Sequence, residues 1–463
     1  APTPEDTDWA QILMLYQGLL RWHDSPVVRL NAVVALDAEG ARARARAADH
    51  ALDRGENWGP LHGVPMTIKD TYEVTGMPCT SGAPELAAYQ PATNADAVDR
   101  LLDAGAVIFG KTNCPIWAGD LQSFNDVYGQ TNNPWNVERT CGGSSGGAAA
   151  ALAAGLTPLE LGSDIGGSIR NPAHFCGVVG HKPSFGVVPL RGHIPGAPGD
   201  LTGADIAVAG PLARSVDDLE LALNVLTAPG RQDAKGWRVD LPEPRHNDIS
   251  KYRVAVWADD DTCPVDGETS GAVQRAGEAL AQMGATVDLD ARPGFTLAEA
   301  HETYYMLLAA VMAASLPKAM RDNMRAHPPA ADDRTHAAMF RRGAVMDHAE
   351  WLGWNEKRER MRAQWSEFFL DWDVVLCPVV PRSAFPHDHS ANFQNRRVEI
   401  DGQDRQYVDM VMWAGVTCGY YLPATVVPVA QSADGLPIGV QVAGDFMDDR
   451  TTLDVARALE TAM

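Results

Sequence analysis

Short apolar runs bounded by Gly, Pro and polar residues alternate along this chain with segments that are apolar at helical spacing. The first segment, Asp8 to Trp22, puts Trp9, Ile12, Leu13, Tyr16, Leu19 and Leu20 on one helical face, with Thr7 or Asp8 as N-cap. Val33-Val34-Ala35-Leu36 reads as a strand, and an Arg/Ala-rich helix follows to about Leu52. Pro65-Met66-Thr67-Ile68 is a short apolar strand ending in Lys69, which on its own reads as a surface cap. A helix over Asp96 to Asp103, closed by Gly105, precedes a buried strand, Ala106-Val107-Ile108-Phe109. Gly147 to Ala154 reads as a helix stopped by Gly155, and Leu159-Glu160-Leu161 as the next strand. Pro211 to Leu226 is expected to be helical, with Ser215 as cap and Asp218 three residues on.

After a polar, Pro-rich excursion over Thr227 to Ser250, the rhythm resumes. Tyr252 to Trp257 is a strand, Ser270 to Met283 a helix ended by Gly284, and Ala285-Thr286-Val287 a strand. Residues 296 to 370 turn helical and rich in Met, Trp and Tyr, a composition that suits either core packing or an adaptable apolar pocket. Asp373 to Pro378 and Ile438 to Val442 return to strands, and Asp449 to Ala462 closes the chain as a helix. Strand–helix–strand alternation on this scale predicts an α/β protein with a largely parallel sheet.

Composition narrows the class. Hydrophobic residues make up 45% and charged residues 21%, the balance of a soluble globular protein. A formal charge of −22 argues against nucleic acid or an anionic membrane surface as partner. No run of 18 apolar residues is present, and Ala1-Pro2-Thr3-Pro4-Glu5-Asp6 does not read as a signal peptide. The seven cysteines (79, 114, 141, 176, 263, 377, 418) show no paired spacing, which favours reduced thiols and a cytoplasmic location. His387-Asp388-His389 comes nearest to a metal pair but reads as a solvated loop, so no metal or cofactor is expected. Gly110-Lys111-Thr112-Asn113 looks like half a phosphate loop and lacks the first glycine of one.

The candidate chemistry lies between Cys141 and Lys182. Gly142-Gly143-Ser144-Ser145-Gly146-Gly147 and Gly162-Ser163-Asp164-Ile165-Gly166-Gly167-Ser168-Ile169-Arg170 place Ser144 and Ser168 in glycine-rich turns 24 residues apart. Gly142 to Gly146 matches the G-x-S-x-G nucleophile elbow, yet Asn133 to Thr140, with Pro and charge, make a poor preceding strand. A phosphate cradle would lack its lysine and its magnesium-binding hydroxyl. Two structural loops are the bland alternative. A further reading joins both serines to Lys69: a serine needs a base to become a nucleophile, and a buried lysine can serve. Gly166-Gly167-Ser168 would then supply N–H donors to an oxyanion.

The two serine runs, continued by Asn171-Pro172-Ala173 and Gly177-Val178-Val179-Gly180-His181-Lys182-Pro183, resemble the amidase signature family. Gly63-Val64-Pro65-Met66-Thr67-Ile68-Lys69-Asp70 is similar to that family's lysine motif. Further matches are Lys111-Thr112-Asn113, Gly129 to Trp135, Gly210 to Val216 and Gly435 to Gln441, so the resemblance spans roughly residues 60 to 445. It implies one amidase signature domain over 1–463. The core signature would occupy about 60–226 and a variable, substrate-side helical region about 296–370. The implied fold is a large mixed, mostly parallel twisted β-sheet covered by helices on both faces.

The resemblance also implies roles. Ser168 is the acylated nucleophile, Ser144 a bridging serine after a cis peptide at Gly143, and Lys69 the neutral base. The N–H groups of Ile165, Gly166, Gly167 and Ser168 form the oxyanion hole, and Asp164 and Arg170 brace the turn. Ser145 adjoins Ser144, and the family's pattern favours the first of the two. The family often carries Thr or Ser where Ile165 stands, and Ser where Ala148 stands. Residues 116–121 line the acyl pocket in relatives, where small Ala118 and Gly119 leave room for a bulky group. The expected substrate is a small apolar or aryl amide, a carbamate or an ester, cleaved by a monomer or homodimer without nucleic acid or membrane. The alternative is the glutaminase subunit of a tRNA-dependent amidotransferase, which calls for a partner subunit. The acidic charge and the apolar 296–370 region weigh against it.

Overall fold

The computed structural model describes residues 30–194, 197–391 and 393–463, so the helix expected over Asp8 to Trp22 lies outside the described residues. In chain order the strands are β1 (Val33–Leu36), β2 (Pro65–Lys69), β3 (Val107–Thr112), β4 (Phe124–Asn125), β5 (Gly129–Gln130), β6 (Leu159–Asp164), β7 (Val179–Lys182), β8 (Val208–Ala213), β9 (Arg253–Val256), β10 (Thr286–Asp288), β11 (Val374–Pro378), β12 (Arg397–Ile400), β13 (Gln403–Gln406), β14 (Ala424–Gln431) and β15 (Pro437–Ala443). Eleven of them form one sheet in the order β1-β3-β2-β6-β8-β7-β14-β15-β11-β9-β10, and β4–β5 and β12–β13 are separate hairpins.

The sheet is mixed, as expected, but less parallel than the strand–helix–strand rhythm predicts. Parallel pairing is confined to β3–β2–β6 and β11–β9–β10. The stretch between, from β6 through β8, β7, β14 and β15 to β11, is antiparallel throughout. The connection explains part of this: β14 turns into β15 through a tight reversal at Ser432 to Gly435, where Gly435 N–H donates to Ser432 O at 2.9 Å. So short a link admits only an antiparallel partner.

A second correction concerns Pro211 to Ala213, which end β8 rather than open a helix. The helix is Val216–Leu226, and Ser215 caps it as expected, its Oγ accepting from Asp218 N–H at 3.2 Å. Pro211 is tolerated in the strand because β7 pairs only with Leu212 and Ala213, beyond the missing N–H. Most other expected elements agree within a few residues, among them the helices Ala38–Asp53, Asp96–Asp103 and Gly267–Gln282. Residues 296–370 are helical as read: Leu297–Met312, Lys318–Ala326, His336–Gly343 and His348–Asp371.

Helices cover both faces. Val427 of β14 belongs to an apolar cluster with Leu223, Val273 and Leu453, whereas its neighbour Val426 packs with Ala150, Phe175 and Leu308. Successive strand residues point to opposite sides, so these two clusters lie on opposite faces of the sheet. A third cluster gathers Trp257, Trp365 and Trp413.

Helix Gly146–Ala153 is the element that follows and positions the Ser144 turn. It has no polar stripe and buries every residue from Gly146 to Leu152. Its small side chains let it lie flush on the strand ends. A Cβ on Gly147 would collide with Asn113 N and stand 2.8 Å from Ala32 O, both backbone atoms. We expect Gly147→Ala to lower stability by about 1–3 kcal/mol through overpacking, read by thermal or denaturant unfolding. Gly236→Ala, where nothing stands within 4 Å, should stay within about 0.5 kcal/mol of wild type.

Candidate active site

β2 and β6 run parallel with Thr67 opposite Glu160 and Ile68 opposite Leu161, so Lys69 leaves β2 beside Ser163 near the end of β6. This is the carboxyl edge of parallel strands, where α/β sheets place their ligands. Lys69 is fully buried, and its Nζ donates to Ser144 Oγ at 2.6 Å and to Ser163 Oγ at 3.0 Å. Burial pushes the Lys69 amine down to about 8, with Cys114, Asp164 and Glu160 pulling back the other way. The lysine that would pass for a surface cap is therefore an interior group poised to lose its proton.

Ser144 follows a cis peptide bond at Gly143, as the resemblance implies. Gly143 has no room for a side chain: a Cβ would stand 2.6 Å from Asp120 O and 2.7 Å from Gln122 N. Ser145 turns the other way, its Oγ lying 3.4 Å from both the N and the O of Ser163. Of the adjacent serines, the first is thus the one that meets Lys69. Ser145 N–H donates to Ser168 O at 3.0 Å, which draws the two serine turns together. Ser168 is 6% exposed, against 1% for Ser144 and 0% for Lys69, so it is the member of the group that solvent reaches.

Asp164 and Arg170 brace the second turn, as expected. Asp164 accepts from Gly167 N–H at 2.8 Å, Ile169 N–H at 3.1 Å, and Arg170 Nε and Nη2, each at 3.0 Å. Burial opposes its charge, yet Arg170, with Lys182 behind it, holds the Asp164 carboxyl well below the usual carboxylate range. Arg170 reaches on to Thr417 Oγ1 at 2.6 Å and Gln441 Oε1 at 2.8 Å. Of the four N–H groups expected to form the oxyanion hole, that of Gly167 donates to Asp164 Oδ1 at 2.8 Å. The N–H groups of Ile165, Gly166 and Ser168 carry no acceptor among the described residues. Tyr304 OH donates to Ile165 O at 3.0 Å and would stand 2.7 Å from a Cβ on Gly166. A Cβ on Gly167 would meet Ala414 Cβ at 2.9 Å. The side chains facing this turn are the Tyr304 hydroxyl, Ala414 and Val411.

Ala118 and Gly119 lie in a tight turn in which Trp117 and Ala118 adopt positive φ, 52° and 53°. Ala118 is half-buried and Gly119 exposed. The following residues, Asp120 to Gln122, are those that pack on Gly143. Asp120 is held there by Arg396 Nη1 at 2.5 Å and Tyr407 OH at 2.7 Å.

Ser163 and Tyr304 are contacts that sequence reasoning missed. Ser163 could have been found by pairing β2 with β6, whereas nothing marked Tyr304 beyond its aromatic-rich surroundings. Lys111 is no phosphate ligand: it is buried, donates to Tyr72 O at 2.6 Å and lies 3.5 Å from Asp70. His389 of the histidine pair stacks on Phe124 with ring centres 3.8 Å apart. No group of three or more potential metal ligands occurs among the described residues, and no described helix is long and apolar enough to cross a membrane.

Comparison with known proteins agrees with this geometry. The Amidase family profile matches residues 25–453. A glutamyl-tRNA(Gln) amidotransferase subunit from Acidobacterium capsulatum is 35% identical over 96% of this chain and 94% of its own length. Among solved structures, a bacterial aryl acylamidase superposes with a TM-score of 0.79 at 25% identity, covering 98% of this chain and 92% of that one. A 6-aminohexanoate cyclic dimer hydrolase does so with a TM-score of 0.75 at 27% identity, covering 96% and 92%. With the serine and lysine motifs gathered at one buried site and the profile covering nearly the whole length, the chain belongs to the amidase family of amide-hydrolysing enzymes.

Proposed function

We propose that this chain cleaves amide C–N bonds through an acyl-enzyme on Ser168, with Ser144 and Lys69 relaying protons. The observation that carries the reading is the 2.6 Å contact between a fully buried lysine amine and Ser144, beside a more accessible Ser168. Neutral Lys69 takes the Ser144 proton as Ser144 takes that of Ser168, and Ser168 Oγ bonds to the amide carbon. The N–H groups of Ile165, Gly166 and Ser168 receive the negative charge that develops on the carbonyl oxygen. The relay then reverses, delivering the proton to the leaving nitrogen as the C–N bond breaks. Water, deprotonated by the same relay, releases the acid from Ser168.

Two substrate readings follow from different observations. The side chains of Val411 and Ala414 beside Gly166 and Gly167 support a small apolar or aryl amide, a carbamate or an ester. The names of the curated relatives favour the other reading, the glutaminase subunit of a tRNA-dependent amidotransferase working with a partner. A panel of aryl amides, fatty amides, short aliphatic amides, aryl carbamates and glutamine separates them. Turnover of the first classes by the isolated chain supports the apolar reading. Glutamine hydrolysis that arises only with added partner subunits supports the amidotransferase reading.

Ser168→Ala should abolish hydrolysis of p-nitroacetanilide or the best panel substrate while leaving the circular dichroism spectrum unchanged, and retained turnover would overturn the assignment. Because the base must be neutral, kcat/KM for a non-ionising substrate should rise with pH through a midpoint near 8 and level off above it. Lys69→Ala should lose about 10²–10⁴-fold in kcat and that midpoint with it. Residual activity that climbs again in alkali is expected, and a pH profile unchanged from wild type would exclude Lys69 as the base.

A further inference from the structure

A cavity of about 640 Å³ opens among the helices of residues 296–370, and neither Ser168 nor any residue of the oxyanion turn lines it. Its volume lies in the range of small-molecule sites. Met306, Met324, Val345, Met346 and Trp354 supply apolar surface, while five cationic side chains, Arg325, Arg334, Arg341, Arg342 and Lys357, stand against two carboxylates. In a chain whose formal charge is −22, this local excess of positive charge is a reversal.

The two carboxylates do not neutralise the arginine pair. Glu302 is already held by Arg334 and Lys357, each at 3.0 Å, and Glu350 accepts from Asp347 N–H at 2.8 Å in a helix cap. Arg341 and Arg342 instead donate to backbone carbonyls of the segment that borders the cavity. Arg341 binds His327 O, and Arg342 binds Ala330 O at 3.1 Å and Asp333 O at 2.5 Å. Neither makes an ion pair among the described residues, and Arg341 Nε is buried without an acceptor. Two guanidinium groups without a carboxylate partner, lining an apolar space, attract an anion, since hydrogen bonds between ionised partners are strong. Methionines provide walls that adjust to the shape of an aliphatic or aryl group.

We infer that this cavity binds an amphipathic monocarboxylate, an apolar chain or ring bearing one carboxylate that meets Arg341 and Arg342. On the reading of the reaction given above, such acids are the class that amide hydrolysis releases, so the enzyme would carry a second site for its own product class. Helix Leu297–Met312 gives Met306 to the cavity and Tyr304 to Ile165, and is therefore shared by both sites.

Titration calorimetry with octanoate, and with octan-1-ol as its uncharged match, tests binding without any turnover. Expected are one octanoate per chain, octan-1-ol at least tenfold weaker, and unchanged octanoate affinity in Ser168→Ala. Arg342→Gln and Met324→Trp should each weaken octanoate at least tenfold. The first removes the charge, and the second fills the space from a half-exposed position without touching the arginines. Absence of octanoate binding, equal binding of octan-1-ol, loss of binding in Ser168→Ala, or unchanged binding in Met324→Trp would each overturn the assignment. If octanoate binds as expected but Ser168→Ala keeps its hydrolysis, the catalytic reading fails and the second site stands.

Discussion

The burial of Lys69 against hydroxyl groups is the constraint on which the site depends. An ammonium removed from water costs several kcal/mol unless it is paired or gives up its proton. Here the contacting partners are Ser144 and Ser163, which accept a hydrogen bond without fixing a charge. The nearby carboxylates and cations are sorted into other pairs: Asp164 with Arg170 at 3.0 Å, and Asp70 with Lys111 at 3.5 Å. The arginine therefore does more than hold a loop, because it pairs with the Asp164 carboxylate and leaves Lys69 with hydroxyl partners.

Close packing of small residues supplies the geometry. Glycines at 143, 147, 166 and 167 each stand where a side chain would collide with backbone or with a neighbouring residue. At 143 and 147 the obstacle is backbone, which cannot swing aside, so the Ser144 turn is pressed onto residues 120–122 and its helix onto the chain beside the ends of β1 and β3. At 166 and 167 the obstacles are Tyr304 and Ala414, which belong to the C-terminal half of the chain. The Ser168 turn thus packs against helices that arrive much later in sequence.

Helix Leu297–Met312 stands between the Ser168 turn and the second cavity, its Tyr304 reaching the turn at Ile165 and its Met306 lining the cavity. The chain is similar alike to proteins named as an amidotransferase subunit, an aryl acylamidase and a 6-aminohexanoate cyclic dimer hydrolase, and one fold can carry different substrate preferences.

Much was legible in the chain because local physics determines it. Apolar spacing located most helices and strands, and the glycine-rich serine runs with the lysine motif marked the residues that the fold brings together. Where sequence failed, non-local pairing decided. Pro211 reads as a helix start, yet β6 recruits it as a strand by pairing along its length. Lys69 reads as a surface cap, since nothing near it in sequence says that a helix and turn from 75 residues downstream will seal it from water. The preference for Ser144 over Ser145 depends on which hydroxyl the turn aims at Lys69, and the engagement of Gly167 N–H depends on the reach of the Asp164 carboxylate. Residue order alone established which chemical groups are present and in what local conformations. Their charge states and directions arose on folding, because desolvation and hydrogen-bond geometry are set by neighbours that the chain order keeps far apart.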